Sequence, residues 1–195
     1  MGVWNNYRGK AIPNGWSPRG GQTRSPYGPA LDAGGSSSGS AVAVAAGFAP
    51  AALAAETDGS IIFPGNRAAL YGIKPTVGLT EAGGGLSSIG GAIPVARSMD
   101  SVGVMAKGVW DLATVLGVIA ESDESGMGQW VYHEAMEVGR AKMWRGLRIG
   151  VGPKRFFNET DLGTQVVLEV QAAIELLAAS VLKWWMLKFR VWRVF

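Results

Sequence analysis

The pattern of hydrophobic and polar positions changes character along the chain. Up to about residue 35 there is neither a helical nor a strand period, and "KAIPNGWSPRGGQTRSPYGPALDAGG" is rich in Gly, Pro, Asn and Ser. That stretch reads as a long structured loop or arm, and a loop of such length in a compact domain usually has a function of its own or belongs to a larger context. Small residues then take over. "SGSAVAVAAG" predicts a helix able to approach its neighbours closely, with serines suited to its N-terminus. "APAALAAE" predicts a short buried strand, and "TDGS" the turn that leaves it. "ALYGIKPTVGL" reads as a strand or turn ended by Pro75, and "GGGLSSIGGAIPV" as a glycine-rich loop. The helical period returns from Val109 to Ala120, with Leu112, Val115, Leu116 and Ile119 on one side. "GLRIGV" is a strand candidate. The clearest helix is "TDLGTQVVLEVQAAIELLAA", opened by Thr160 or Asp161, with Val166, Val167, Val170, Ile174 and Leu177 along one face. Helices alternating with short apolar strands predict an α/β fold.

Composition narrows the chemistry more than the fold. The chain has 195 residues, 48% of them hydrophobic, which is the size of one domain with an ordinary core. There is no cysteine, which excludes disulfides, thiolate nucleophiles and Cys-based zinc sites. The N-terminus "MGVWNNYRGK" has no apolar core for a signal peptide. The mild apolar run from Ala41 to Ala55 is broken by Gly47 and Pro50 and falls short of the roughly 18 residues that suggest a membrane span. The expectation is a soluble, cytoplasmic protein with no membrane span. A formal charge of +3 conceals an asymmetry, because Lys183, Lys188, Arg190 and Arg193 lie near the C-terminus with no acid among them. Without those four the chain is nearly neutral, so no broad basic face for nucleic acid is expected.

Between Asp32 and Gly65 the sequence "DAGGSSSGSAVAVAAGFAPAALAAETDGSIIFPG" holds five serines and no histidine. A Ser-His-Asp hydrolase needs an imidazole as general base. The single histidine, His133, lies in "QWVYHEAMEVGRAKM" with no acid-plus-serine motif around it and reads as a surface residue. The G-x-S-x-G elbow is absent, since Gly59-Ser60 is followed by Ile61-Ile62, and "GGSSSGS" lacks the lysine of a phosphate-binding loop. Serine can also be activated by a neutral lysine, directly or through another hydroxyl.

Three blocks in order, "GGSSSGSAVAVAAG", "ETDGSIIFPGNRAALYGIKPTVGL" and "GGAIPVARSMDSVGVMAKGVWD", resemble the signature region of the amidase signature family. The resemblance runs from about Gly34 to Asp111 and continues more weakly through "GLRIGV" and the following helix. It implies an α/β fold in which a mixed β-sheet is covered by helices on both faces. It also implies hydrolysis of a carboxamide by a Ser, cis-Ser, Lys triad, with a small-molecule amide as substrate and neither metal nor organic cofactor. By position the nucleophile falls on Ser60 and the bridging serine on Ser36, which follows a cis bond from Gly35. Ser37 would support the same hydrogen-bond network, and the N–H groups of Thr57, Asp58, Gly59 and Ser60 would form the oxyanion hole. A small-residue turn leading into a helix suits that task, because its N–H donors converge where negative charge develops.

The chain departs from the family pattern at Ala54-Ala55, where Gly-Thr is common, at Asp58, where many members have Gly, and at Ile62, where many have Arg. No lysine stands at the place of the catalytic lysine, for Lys10 belongs to the loop after it and Lys74 is a recurrent family lysine but not the base. The expected organisation is a partial amidase signature domain over residues 1–179, cut at both ends, followed by an aberrant basic and aromatic tail over 180–195. The fragment would then be an amidase inactive on its own. A tRNA-dependent amidotransferase subunit shares the signature and is the lesser enzyme reading. The alternative from another class is a noncatalytic remnant that binds a partner or does nothing.

Overall fold

The structure, a computed structural model, describes residues 13–80, 94–120, 136–137 and 164–179. It comprises two compact units, residues 1–136 and 137–195. His133, Lys10, "GLRIGV" and residues 180–195 lie outside the described residues.

In the first unit the arm carries a two-residue hairpin, β1 (Trp16–Ser17) against β2 (Gly21–Gln22). Hydrogen bonds of side chains hold the rest of the arm. Asn14 Nδ2 and the Gly34 N–H both donate to the Asp32 carboxylate, at 3.2 and 2.9 Å. The Tyr27 hydroxyl donates to the Ala68 carbonyl at 2.9 Å. Then come α1 (Ser38–Ala45), β3 (Ala51–Glu56), α2 (Ile62–Arg67), β4 (Tyr71–Ile73), β5 (Ser101–Ala106) and α3 (Val109–Ile119). Strand β5 is central: β3 pairs with it antiparallel from Ala51–Ala106 to Glu56–Ser101, and β4 pairs antiparallel on its other side, Ile73 opposite Val104.

Successive side chains of a strand point to opposite faces, and this alternation sorts the core into two layers. On one face Ala54 and Met105 pack with Ala41 of α1, Ile61 and Ala68. On the other Val104 and Ala106 pack with Leu112 of α3, supported by Val115, Leu116 and Ile119. Helices thus cover both faces of this sheet, and the side of α3 that meets it is the side the hydrophobic spacing marks.

All six residues of β5 are buried. A strand covered on both faces shows no alternation, and "SVGVMA" carries no strand pattern distinct from the helix that follows. The expected serine caps of α1 are also corrected. Ser37 occupies the N-cap position without a side-chain cap bond. Its hydroxyl donates instead to the Ala55 carbonyl, as Ser40 does to Leu53 and Ser38 to Gly34. These hydroxyls fasten the helix to the strand and the preceding turn rather than closing its own first turn.

In the second unit α4 (Thr164–Ala179) falls within the expected long helix, whose expected start at Thr160 or Asp161 lies outside the described residues, and Val167, Val170 and Ile174 are half-buried at helical spacing. No helix among the described residues is long and apolar enough to cross a membrane.

Candidate active site

The first unit brings Ser36 and Ser60 together from opposite ends of a 24-residue loop. Their hydroxyl oxygens are hydrogen-bonded at 2.9 Å, with Ser36 donating. Each hydroxyl can donate or accept, so the same contact can pass a proton in either direction. Ser36 follows a cis peptide bond from Gly35. The turn before it needs glycine for two reasons: Gly34 has φ +71°, and a Cβ there would lie 2.8 Å from the Cα of Pro64 in α2. A second tie, from the Ser37 N–H to the Ser60 carbonyl at 3.1 Å, fixes the two segments in register. Ser37 thus joins through its backbone, while its hydroxyl points to Ala55.

Ser60 itself is placed by its neighbour. Ile61 is fully buried, and burying such a side chain contributes about 1.5–3 kcal/mol. It sits where β5 and β4 have no side chain, against Gly103 and Gly72. The turn of Thr57, Asp58, Gly59 and Ser60 therefore hangs between the end of β3 and an anchored isoleucine. Gly59 has φ +80°, a conformation that L side chains rarely adopt. Thr57, Gly59 and Ser60 are half-buried and Asp58 is exposed. Among the described residues, none of the turn, loop and cap hydrogen bonds between backbone groups uses the N–H of these four.

A family model described as Amidase matches residues 10–188. The chain belongs to the amidase family. Among its relatives, an Arabidopsis thaliana protein named "probable amidase" is 39% identical over 123 residues, 63% of this chain and 23% of that protein. A glutamyl-tRNA(Gln) amidotransferase subunit from Roseiflexus castenholzii is 42% identical over 160 residues, 80% of this chain and 30% of that protein. The crystal structure of the native peptide amidase of Stenotrophomonas maltophilia superposes with a TM-score of 0.66 at 38% identity, covering 93% of this chain and 36% of that one. The chain thus spans between about a quarter and about a third of the length of these relatives, and its α/β fold is part of the amidase signature fold.

Two residues to which the motif reading gave no role bracket the turn in this amidase-family chain. Glu56, buried at the end of β3, accepts the Ile61 N–H at 2.6 Å and the Ile62 N–H at 2.9 Å through one carboxylate oxygen. These are donors at the start of α2, which a helix leaves without internal partners. The signal lay in the sequence as an acid closing a buried apolar strand just before a helix. Asp100, also buried, accepts the Thr57 hydroxyl at 2.5 Å on one oxygen. Its other oxygen accepts the N–H groups of Val95 and Ala96, at 2.8 and 3.0 Å. No sequence spacing links Asp100 to Thr57, 43 positions earlier.

Burial pushes the Asp100 carboxyl up. The Thr57 hydroxyl, the two N–H groups and the charge of Lys74 together pull it down further, so that it ends below the ordinary value of 3.8. A carboxyl depressed in the folded state stabilises the fold above its unfolded pKa, and that contribution disappears as pH falls through the lowered value. In acid titrations followed by circular dichroism, Asp100→Asn should therefore flatten the loss of stability below about pH 4 relative to the parent chain. An unchanged acid limb would remove Asp100 from the balance.

Proposed function

We propose that this chain carries the nucleophilic half of an amide-hydrolysing centre, with Ser60 as nucleophile and Ser36 as the hydroxyl that takes its proton. The observation that carries the reading is the 2.9 Å contact between these two serines, made beside a turn with donors suited to an oxyanion. Attack of Ser60 Oγ on a carboxamide carbon would form the C–O bond while its proton passes to Ser36 Oγ. The developing oxyanion would be met by N–H groups of Thr57, Asp58, Gly59 and Ser60, a kind of donor worth about 2.7–4 kcal/mol each in the transition state. As the tetrahedral intermediate collapses, the proton held through Ser36 is delivered to the leaving nitrogen, the C–N bond breaks to release ammonia or an amine, and water then cleaves the acyl ester.

Ser36 relays a proton well only if a stronger base stands behind it, and the resemblance assigns that role to none of this chain's lysines. The proposal is accordingly of slow reaction by these 195 residues alone, on a small-molecule amide and without metal or organic cofactor. A soluble, cytoplasmic setting goes with it, and residues 1–179 act as part of an amidase domain with 180–195 as a separate tail. Homology to the amidotransferase protein supports the amide chemistry without favouring its tRNA-linked role. The second reading, a noncatalytic module, draws on that same missing base.

Prolonged incubation of the full chain with a fluorophosphonate, followed by peptide mapping, separates the two. Slow phosphonylation confined to Ser60 and absent from Ser60→Ala is the expected result. No adduct at Ser60, or one distributed over surface serines, would leave only the noncatalytic module.

A further inference from the structure

The turn of Thr57–Ser60 is secured unequally at its two ends. Its C-terminal end is held by the burial of Ile61 and by the Glu56 carboxylate on the Ile61 and Ile62 N–H groups. Its N-terminal end leaves β3 at Glu56, and the contact that the Thr57 side chain makes there is with Asp100. That carboxylate is itself fixed: it is 8% exposed, immediately precedes the central strand β5, and is bound by Val95 and Ala96 on its second oxygen. A buried carboxylate with three donors has little freedom to move, because each lost bond leaves a desolvated charge less compensated. We propose that Asp100 is a positioning residue, holding the Thr57 end of the oxyanion turn by the hydroxyl so that the turn's N–H groups keep a common direction.

The orientation of this contact also answers an electrostatic objection. A carboxylate facing the reacting carbonyl directly would oppose the charge that develops there. Asp100 acts instead through the Thr57 hydroxyl, and the positive charge of Lys74 partly offsets its own. The inference rests on reading residues 57–60 as an oxyanion hole, but the clamp can be measured apart from the chemistry.

The test uses the full chain with Thr57→Val, which removes the hydroxyl at nearly constant shape, Thr57→Ser, which keeps it, and Asp100→Ala. Backbone 15N order parameters for Thr57–Ser60 should fall from about 0.85 to below about 0.6 in Thr57→Val and recover in Thr57→Ser. Those of α1 and β5 should not change. The maximal rate of phosphonylation at Ser60 should fall about 100-fold in Thr57→Val, with the half-saturating probe concentration unchanged, and recover in Thr57→Ser. Asp100→Ala should match Thr57→Val in both readouts if it folds, and Thr57→Val decides the matter if it does not. An ordered turn in Thr57→Val, a loosening spread evenly over the core, or lost order with an unchanged rate would each overturn the proposal. If the parent chain takes no adduct, the amide-hydrolysis reading fails, while the order parameters still confirm or overturn the clamp.

Discussion

Replacing Gly103 with alanine will destabilise the first unit by about 3 kcal/mol or more, at the upper end of overpacking effects. The position is not one of backbone strain but of space. A Cβ on Gly103 would lie 2.0 Å from the Ile73 carbonyl oxygen, 2.8 Å from Ile61 Cδ1 and 3.0 Å from Pro75 Cδ. An isoleucine rotamer can shift by a few tenths of an ångström, but a backbone carbonyl of the paired strand cannot do so without opening the β4–β5 ladder. Gly103 is also the place into which Ile61 packs, so the change should displace Ser60 as well. In thermal denaturation the midpoint should drop by about 6–12 °C for a chain of this size. A midpoint within a degree of the parent would mean that β4 and β5 do not pair in the register described.

The second large effect is expected at Ser36. Among the described residues its hydroxyl is the side-chain group hydrogen-bonded to Ser60 Oγ. A proton relay backed by a base contributes about 10²–10⁴-fold to the rate of attack. In a longer chain that also supplies the family's lysine, Ser36→Ala should lower the maximal rate of phosphonylation at Ser60 by about 100-fold or more, with little change in probe affinity. His133→Ala should leave it intact. A rate that depends on His133 and survives Ser36→Ala would move the chemistry from a serine relay to an imidazole base. The two experiments also inform each other, because Gly103→Ala acts on the position of Ser60 through packing, whereas Ser36→Ala acts on its proton alone.

How far the sequence revealed this arrangement depended on whether a signal was local. The helix α3 was legible because Leu112, Val115, Leu116 and Ile119 recur at helical spacing and only one side meets the sheet. Strand β3 was legible as a short apolar run bounded by Pro50 and the polar turn. Strand β5 was not, although it organises the sheet: burial on both faces removes the alternation by which strands are recognised. The same division holds at the site. Ser36, Ser37 and the turn Thr57–Ser60 belong to short motifs at a fixed separation and could be named from residue order. Asp100 could not, because its role follows from pairing of Ser101 with Glu56, which brings the start of one loop beside the end of another. The hydroxyls of Ser37, Ser38 and Ser40 were misassigned for a related reason. A serine near a helix start caps that helix by default, and only the packed neighbour reveals another acceptor.

The spacing of the two hydroxyl contacts bears on how the unit assembles. Ser36 meets Ser60 across 24 positions, and Thr57 meets Asp100 across 43. Loop-closure entropy grows only with the logarithm of length, so for flexible loops the longer closure costs about 0.5 kcal/mol more than the shorter. That difference is smaller than one ordinary hydrogen bond, about 1 kcal/mol. Chain topology therefore imposes no strong order on the two closures. The serine pair and its clamp lie within one contiguous stretch of sequence, and both can condense together with the same three strands.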